Sequence, residues 1–496
     1  MDSNTARSYR SAEQRPLKFA VFGAGMAGIL CGIKLKEAGL SHFTIYEKAD
    51  RVGGTWRENT YPGIACDVPA HLYTYSFAPN PDWSHRFAPG AEIQAYFERV
   101  AADYGIYPFI RFGDEVRLCR YDHGRWWLET ARGYQDRVDV IFAATGVLHH
   151  PKLPDIEGLD TFAGACFHSA RWDHSVPLEG KRVGVVGTGS SAVQIVSAIV
   201  SRVQKLVLFQ RTAQWIFPQD NPPYSEAEKE EFRRNPARIA ELREQLTRAF
   251  VDNFSNVVVD ADSPQIQFIE DVCRAHLEQS VTDPVLREKL RPNYRAACKR
   301  LVVSPDFYQA IQRPNAELVT EGIARVEPRG VRTQDGRLHE LDVLVLATGF
   351  QVDRFLRPIE VIGRYGKRLD DVWRERPYAY LSISIPDFPN LFLLNGPNGP
   401  VGNFSLIDVA ELQFAYIMQL VELLRAGQCR EISASEEATN RFEHARVEAA
   451  KKTVWVTGCR SWYLDDRGIP MAWPWTFEHF RAVMARPDFT AFELVA

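Results

Sequence analysis

The sequence predicts an α/β protein in which one strand–turn–helix–strand unit occurs twice. Two glycine-rich turns, GAGMAG at residues 23–28 and GTGSSA at residues 187–192, each follow a short apolar segment. Two further apolar segments end in the same three letters, Ala-Thr-Gly, at residues 144–146 and 347–349. Because both features recur in the same order, the sequence favours a duplicated architecture with parallel strands.

The first unit has the pattern of a Rossmann βαβ fold. An apolar strand at 18–22 enters the turn, a helical pattern continues to Leu40, and a second strand at 43–46 ends in Glu47. Glycines let the backbone approach a pyrophosphate, and the helix N-terminus supplies amide donors. A carboxylate about twenty residues further on can accept hydrogen bonds from a ribose diol. We therefore expect this unit to bind a dinucleotide.

The second unit differs at the end of its second strand. The strand at 183–186, the helix at 193–203 and the strand at 205–209 lead to Gln210, Arg211 and Thr212 instead of an acid. A carboxylate there would repel a 2′-phosphate, whereas an arginine pairs with it through several donors. The pattern favours NADPH over NADH. The alternative is an exposed arginine without a ligand.

The remaining sequence predicts how the domains are divided. The strands at 138–143 and 341–346 each close one nucleotide domain. Charged, helix-favouring sequence, with helices at 226–232 and 237–254, indicates a helical insertion at about 222–297. From about residue 351 the chain mixes Pro/Gly loops with one clear helix at 408–424. We predict a first dinucleotide-binding domain (1–152, completed by 351–496) and a second, NADPH-type domain (153–350).

Composition excludes several other classes of protein. At 496 residues the chain exceeds one compact core. The net charge of −4 gives no basic footprint for nucleic acid, and no apolar run approaches the roughly 20 residues that cross a bilayer. Residues 1–16 are polar and are predicted to form a flexible tail. We expect a cytoplasmic monomer or homodimer that acts on a small molecule.

The cysteines predict neither a metal site nor a disulfide. All eight are widely spaced, without a C-x-x-C pair: Cys31, Cys66, Cys119, Cys166, Cys273, Cys298, Cys429 and Cys459. Free thiols in a reducing compartment are the expectation. A flavin disulfide reductase, which needs a close cysteine pair, is disfavoured for the same reason.

Two long motifs resemble a known family. Residues 53–67, GGTWRENTYPGIACD, are similar to the GGxWxxxxYPGxxxD segment of class B flavoprotein monooxygenases of the Baeyer–Villiger branch. The positions of Phe162, Gly164, His168, Trp172 and Asp173 match the fingerprint FxGxxxHxxxW(P/D) of that branch. The resemblance covers nearly the whole chain, from the first glycine turn to Trp462.

The resemblance implies cofactors and a reaction. It implies FAD in the first site, NADPH in the second, and O2 as co-substrate. A flavin C4a-peroxide would convert a ketone into an ester or lactone. Two alternatives remain open: a monooxygenase of the same class that oxidises sulfur or nitrogen, and a flavin-binding module without catalysis.

The resemblance also assigns roles near residue 300. Lys299 and Arg300 match the family's Lys-Arg pair, so Lys299 would reach the 2′-phosphate and Arg300 would stabilise the anionic peroxide. Asp67 would hold Arg300 in place. Arginine suits this role because it stays charged in a dry pocket. Arg313, on a strand-entry turn, is a competing candidate.

The other predicted contacts are aromatic or lie on loops. Trp56 and Tyr73 would line the flavin or form plain core, and the resemblance implies that Trp462 belongs to a loop that closes on the nicotinamide. Residues 463–468 depart from the glycine-rich run of the cyclohexanone-type branch. The turn at 396–400, followed by Asn403, would return the chain to the flavin.

The fingerprint is predicted to lie on a linker. A hinge or packing role for His168 and Trp172 is therefore favoured over direct catalysis. The full set of predicted cofactor contacts is Gly23, Gly25, Gly28, Glu47, Thr55, Trp56, Asp67, Tyr73, Gly187, Thr188, Gly189, Ser190, Ser191, Gln194, Arg211, Thr212, Lys299 and Trp462.

Overall fold

The computed structural model describes residues 16–402 and 404–496. The predicted polar tail, apart from Pro16, and Asn403 lie outside the described residues. The first part of the chain contains β1 (Phe19–Phe22), α1 (Met26–Glu37), β2 (Phe43–Glu47), α2 (Thr55–Glu58), α3 (Gly90–Asp103), β3 (Ile110–Phe112), β4 (Val116–Asp122), β5 (Arg125–Thr130), β6 (Gln135–Val138) and β7 (Val140–Ala143).

The middle part begins with the second nucleotide unit. Its elements are β8 (Ala165–His168), β9 (Arg182–Val186), α4 (Ser190–Ile199), β10 (Lys205–Phe209), β11 (Ile216–Phe217), α5 (Glu226–Arg234), α6 (Pro236–Phe250), α7 (Pro264–Ser280), α8 (Pro284–Lys289), β12 (Val302–Val303), α9 (Phe307–Ile311), β13 (Ala316–Val319), β14 (Ile323–Glu327), β15 (Gly330–Thr333), β16 (Leu338–Glu340) and β17 (Val343–Leu346). The C-terminal part contains β18 (Glu360–Ile362), α10 (Leu369–Val372), β19 (Leu391–Leu393), α11 (Leu406–Arg425), β20 (Glu431–Ala434), α12 (Glu436–Ala450), α13 (Phe477–Ala485) and β21 (Phe492–Val495).

The two parallel sheets have the same strand order. The first runs β19-β7-β1-β2-β3 and the second runs β8-β17-β9-β10-β13. In each, the strand before the glycine turn lies between the strand that ends in Ala-Thr-Gly and the strand that ends in Glu47 or Gln210. In each, an antiparallel meander precedes the Ala-Thr-Gly strand, β4–β6 in the first domain and β14–β16 in the second; β18, which comes later in the chain, joins the first meander by parallel pairing with β4. The predicted α/β fold with two Rossmann-like domains and a helical insertion is confirmed.

The fingerprint was wrongly predicted to lie on a linker. Residues 165–168 form β8, the edge strand of the second sheet, paired in parallel with β17. Strand β8 takes the position in the second sheet that β19 takes in the first. Its four residues are mostly half-buried or exposed, so their pattern lacks the continuous apolar run that marks an inner parallel strand.

The first domain is built around buried strands and one apolar helix. All four residues of β1 and of β7 are buried, as expected for parallel strands covered on both faces. Helix α1 ends at Glu37, not at the predicted Leu40. Gly39 adopts φ +74°, and the Leu40 amide donates to the Leu35 carbonyl, which closes the helix with a left-handed residue.

The helical insertion α5–α8 packs on the first domain. Arg243 of α6 donates through Nη1 to the Thr74 carbonyl (2.5 Å) and pairs through Nη2 with Asp408 of α11. The His71 ring is buried against Tyr224 and Phe232 in edge-to-face contacts at 5.2 and 4.9 Å. These contacts join the first domain, the insertion and the C-terminal part.

The described residues contain neither a membrane-spanning helix nor a cluster of metal ligands. None of the helices within residues 16–402 and 404–496 combines the length and apolarity needed to span a membrane. In the same residues, no group of three or more His, Cys, Asp or Glu side chains is arranged to hold a metal ion.

Candidate active site between two nucleotide turns

The two glycine turns lie at the carboxyl ends of β1 and β9 and are equivalent in detail. Gly23 has φ +95°, and a Cβ there would lie 2.7 Å from the Ala144 carbonyl oxygen. Gly187 has φ +118°, and a Cβ would lie 2.3 Å from the Ala347 oxygen. A Cβ at Gly28 would lie 1.8 Å from the Gly23 oxygen. Only glycine allows such close contact between turn, helix and neighbouring strand.

The N-termini of the helices that follow these turns can bind an anion. The N-caps of α1 and α4 are Gly25 and Gly189, and neither provides a side-chain cap. The first-turn amides therefore remain available to a bound pyrophosphate, favoured also by the helix dipole. A Cβ on Gly189 would meet no atom within 4 Å, so open space adjoins this turn. Both turns fit the cofactors that the sequence predicts.

Glu47 lies where the ribose contact was predicted, but its carboxylate is already engaged. It is 3 % exposed. Its Oε2 accepts from the Ala24 amide (2.7 Å), and its Oε1 accepts from the Ala49 amide (2.9 Å) and from Arg57 Nη1 (3.2 Å). A carboxylate has about four acceptor positions, so roughly one remains for a ribose hydroxyl. Glu47 thus also ties the glycine turn to the GGTWRE segment.

Two cations lie together beyond the second turn. Arg211 is exposed at the end of β10, and Lys299 Nζ lies 4.8 Å from the centroid of the Tyr294 ring. Burial lowers the pKa of Lys299, and the charge of Arg211 lowers it further. Thr188 Oγ1 donates to the Thr212 carbonyl (2.8 Å), which fixes the turn to the same loop.

Arg300 and Asp67, 233 positions apart, form an ion pair. Arg300 Nε and Nη2 both donate to Asp67 Oδ2, at 3.0 and 2.5 Å, and Nη1 donates to the Gly402 carbonyl at 2.8 Å. Each side chain of the pair is 28 % exposed. Burial alone would lower the pKa of Arg300, but the Asp67 charge raises it above its usual value. The guanidinium is therefore a fixed positive charge.

The three aromatic side chains predicted to contact a cofactor each pack against another aromatic ring. Trp56 Nε1 donates to the Tyr73 hydroxyl (3.1 Å), with the rings edge to face at 5.7 Å. Burial raises the pKa of Tyr73, so its hydroxyl stays protonated. Trp462 is 36 % exposed and lies 4.1 Å, centroid to centroid, from the ring of Tyr463. Thr55 is exposed at the start of α2.

Tyr61-Pro62-Gly63 of the first motif contacts the second nucleotide helix. The Tyr61 hydroxyl donates to Gln194 Oε1 (2.9 Å) and accepts from Ser191 Oγ (3.2 Å). Gln194 Nε2 donates to the Ala65 carbonyl (3.1 Å). A Cβ at Gly63 would lie 2.7 Å from the Gln194 carbonyl oxygen. Ser191 and Gln194, predicted to contact a cofactor, thus also join the two domains.

The fingerprint residues pack and terminate β8. A Cβ at Gly164 would lie 2.3 Å from the Asp342 carbonyl oxygen, and the Trp172 ring lies edge to face with Phe167 at 5.0 Å. The buried His168 accepts through Nδ1 from the Ala170 amide (3.1 Å). Phe162 packs against the core beneath the second sheet. Asp173 accepts from the Ser175 amide at 2.9 Å.

The expectation of eight free thiols was wrong. Cys298 and Cys459, 161 positions apart, form a disulfide with 6.2 Å between their Cα atoms. The six free cysteines are Cys31, Cys66, Cys119, Cys166, Cys273 and Cys429. Sequence spacing carries no signal for such a pair, because only the folded C-terminal part brings Cys459 to the residue before Lys299.

Two other residues near Arg300 were also missed. Tyr463 and Gly402 both contact Arg300 or its partners, yet neither belongs to a motif with a chemical signature of its own. Arg313, the competing arginine, is exposed in the turn between α9 and β13, and its amide donates to the Ala310 carbonyl.

Fold and site together define a protein with two Rossmann-type dinucleotide sites and a half-buried arginine–aspartate pair. Residues 16–223 match the family of flavin-binding monooxygenase-like proteins. An uncharacterized monooxygenase of Mycobacterium tuberculosis is 48% identical over 468 residues, covering 94% of each chain. A Baeyer–Villiger monooxygenase of Streptomyces coelicolor is 38% identical, over 97% of this chain and 93% of its own.

Solved structures agree with these relatives. A cyclohexanone monooxygenase of Rhodococcus, bound to NADP+, is 30% identical and superposes with a TM-score of 0.87, over 97% of this chain and 99% of its own. The chain belongs to the flavin-dependent monooxygenases of the Baeyer–Villiger type, which confirms the predicted family.

Proposed function

We propose that the protein binds FAD at the first glycine turn and NADPH at the second, and that it uses O2 to convert a ketone into an ester or lactone. The observation that carries this proposal is the Arg300–Asp67 pair. It places a permanent cation next to the motif shared with the family, where a negatively charged oxygen species requires stabilisation.

The assignment of the two cofactors rests on the strand ends. At the first site, Glu47 keeps about one acceptor position for a ribose hydroxyl, and the uncapped α1 amides would hold a pyrophosphate. At the second, Arg211 and Lys299 offer two adjacent cations to a 2′-phosphate. The related cyclohexanone monooxygenase was solved with NADP+ bound. NADH, which lacks that phosphate, would leave both cations without a partner.

Bound flavin, once reduced by NADPH, supplies the activation of oxygen. The role of the protein's own residues is to hold and orient the reactants and to stabilise charge. An arginine has five N–H donors, of which three are taken by Asp67 and Gly402. At most two remain to bind a substrate oxygen on which negative charge develops. The Asp67 charge outweighs the effect of burial and keeps this guanidinium protonated throughout.

The test is a product-resolved screen of the purified, FAD-loaded enzyme. It is incubated with NADPH, O2 and a panel of cyclic, aryl and long-chain ketones, together with sulfides and amines. We expect esters or lactones in proportion to the NADPH consumed. Oxides from sulfides or amines, with every ketone unchanged, would refute the proposal.

A matched pair of variants then tests the site. Arg300→Ala is expected to bind FAD and accept hydride but to form no ester, because it lacks the fixed cation. The control is Arg313→Ala, which removes an exposed arginine from a turn and is expected to behave as wild type. Wild-type ester yield in Arg300→Ala would contradict the assigned role.

A further inference from the structure

The chain around Arg300 packs against a loop from the far end of the sequence. We call residues 457–472 the C-terminal loop. One apolar cluster contains Ala297, Cys298 and Leu301 together with Cys459 and Tyr463 of this loop. Arg300 is therefore flanked on both sides in sequence by residues that the C-terminal loop covers.

Tyr463 reaches Arg300 itself. It is 4 % exposed. A Cβ added to Gly402 would lie 2.3 Å from the Tyr463 hydroxyl oxygen, so this oxygen lies against the Gly402 Cα. The carbonyl of Gly402 accepts from Arg300 Nη1 at 2.8 Å. The side chains of Arg300 and Tyr463 are also linked by a hydrogen bond.

The position of Tyr463 is fixed by three further contacts. The Met471 amide donates to the Tyr463 carbonyl at 2.7 Å, and the Trp455 ring lies 5.3 Å from the tyrosine ring. Four residues before Tyr463, Cys459 is bonded to Cys298, which lies two residues before Arg300. The arginine and the tyrosine are thus attached to the two ends of one covalent cross-link.

Tyr463 limits how the N–H donors of Arg300 can bind a reacting oxygen. Asp67 and Gly402 occupy three of the five N–H donors of Arg300, and the Tyr463 oxygen bonds to the same guanidinium. At most two N–H donors then remain for a reacting oxygen, and they share the guanidinium with Tyr463. A guanidinium held by three partners cannot turn about its long side chain, so the remaining N–H groups have fixed directions.

We propose that Tyr463 is a positioning residue for oxygen transfer, which fixes the orientation of the Arg300 guanidinium and is itself held in place by the Cys298–Cys459 disulfide. The proposal rests on the proposed function of Arg300. It adds to that function a second partner for the arginine and a covalent link, neither of which belongs to the two sequence motifs.

The first experiment compares Tyr463→Phe with Tyr416→Phe, both as FAD-loaded enzymes. Tyr416 is the matched control because its hydroxyl is buried on α11 and has no hydrogen-bond partner among the described residues. In Tyr463→Phe we expect kcat for oxygenated product to fall about tenfold, the effect of one lost hydrogen bond to a charged group. H2O2 release per NADPH should rise.

Binding separates positioning from general damage. The KM for NADPH and the Kd for NADP+, measured by titration of the oxidised enzyme, are expected to stay within about twofold of wild type in Tyr463→Phe, because Arg211 and Lys299 are untouched. Wild-type coupling in Tyr463→Phe, or an equal loss in Tyr416→Phe, would overturn the proposal. A loss confined to NADP+ affinity would also overturn it.

The second experiment tests the cross-link without turnover. Alkylation of the denatured, unreduced protein is expected to label six cysteines, and all eight after reduction. Hydrogen exchange on the FAD-free protein should show faster exchange across residues 459–472 in Cys298→Ala/Cys459→Ala. Cys166→Ala, which removes an exposed free thiol, is the control. Eight labelled thiols before reduction, or unchanged exchange, would refute the role of the disulfide.

The two proposals fail in different ways. If wild type oxygenates only sulfides, the ketone reaction is refuted, and coupling in Tyr463→Phe is then measured on the sulfide. If wild type converts ketones and Tyr463→Phe does so with equal coupling, only the positioning role is refuted.

Discussion

Replacing Asp67 by Asn is the most direct perturbation of the site. The change keeps the size of the side chain but removes the negative charge that two N–H groups of Arg300 share, at 3.0 and 2.5 Å. A hydrogen bond between charged partners contributes about 1.5–3 kcal/mol, and breaking a fully buried pair costs about 3–5 kcal/mol. Because each side chain is 28 % exposed, the cost of a fully buried pair is not reached, and we expect a loss of about 2–3 kcal/mol.

This loss of free energy predicts a decrease in kcat. At 1.36 kcal/mol per factor of ten, the loss of orientation in Asp67→Asn should lower kcat for product by about 30- to 150-fold. NADPH oxidation should fall much less, because Arg300 keeps its positive charge and loses only the fixed orientation of its guanidinium. The assay follows product by gas chromatography, NADPH by absorbance and H2O2 by a peroxidase assay.

The control for Asp67→Asn is Asp82→Asn. Asp82 pairs with Arg233 at 2.6 Å, but 47% and 42% of these two side chains are exposed, so the pair contributes little. Asp82→Asn should leave coupling unchanged. Wild-type kcat and coupling in Asp67→Asn would show that Asp67 does not orient Arg300 as proposed.

Three other predictions concern cofactor choice, the second turn and pH. Arg211→Ala should raise the KM for NADPH by about tenfold or more and leave that for NADH nearly unchanged, because a charged hydrogen bond to the 2′-phosphate is lost; steady-state kinetics with both cofactors measure this. Gly187→Ala should cost about 2 kcal/mol or more in the free energy of unfolding and abolish NADP+ binding, since its Cβ would lie 2.3 Å from the Ala347 oxygen at φ +118°; denaturant unfolding and a binding titration measure these. His71, whose pKa is lowered to about 4 by burial and by a nearby arginine, binds fewer protons in the folded than in the unfolded protein. The free energy of unfolding should therefore be highest above about pH 6.5 and should decrease by about 1.4 kcal/mol per pH unit as the pH falls toward 4. In urea unfolding, His71→Phe should remove this dependence on pH.

Each of these predictions has a result that contradicts it. Equal effects of Arg211→Ala on both cofactors would remove the 2′-phosphate assignment. Gly180→Ala is the control for the turn, because its φ is +68° but no atom lies within 4 Å of a Cβ; a cost as large as that of Gly187→Ala would show that backbone conformation alone is responsible. Parallel pH profiles of wild type and His71→Phe would show that His71 does not titrate on unfolding.

The parts of the fold that the sequence predicted correctly are encoded locally. Strand 205–209 was placed at its observed bounds because five apolar or long side chains lie between turn signals. The predicted strand 138–143 is interrupted at Asp139, whose amide donates to the Lys18 carbonyl and whose carboxylate accepts from the Lys18 amide. That break depends on a partner 121 positions away, which periodicity cannot show.

The candidate site was predictable to a smaller extent. The glycine turns follow from physical chemistry, since only glycine permits the contacts of Gly23 and Gly187. The pairing of Arg300 with Asp67 came from a family resemblance, because no spacing rule relates residues 233 positions apart. Tyr463 and the disulfide follow from the path of the C-terminal part, which is a tertiary property.

The strand order determines which of the two sheets is completed first during synthesis. The second sheet uses one uninterrupted stretch, from β8 at residue 165 to β17 at residue 346, whereas the first sheet needs β19 at 391–393. The two segments that connect the domains are themselves paired, with the Lys152 amide donating to Gly349 and the Gln351 amide to His150. During synthesis on the ribosome, the first sheet therefore lacks β19 until the whole of the second domain has been synthesised.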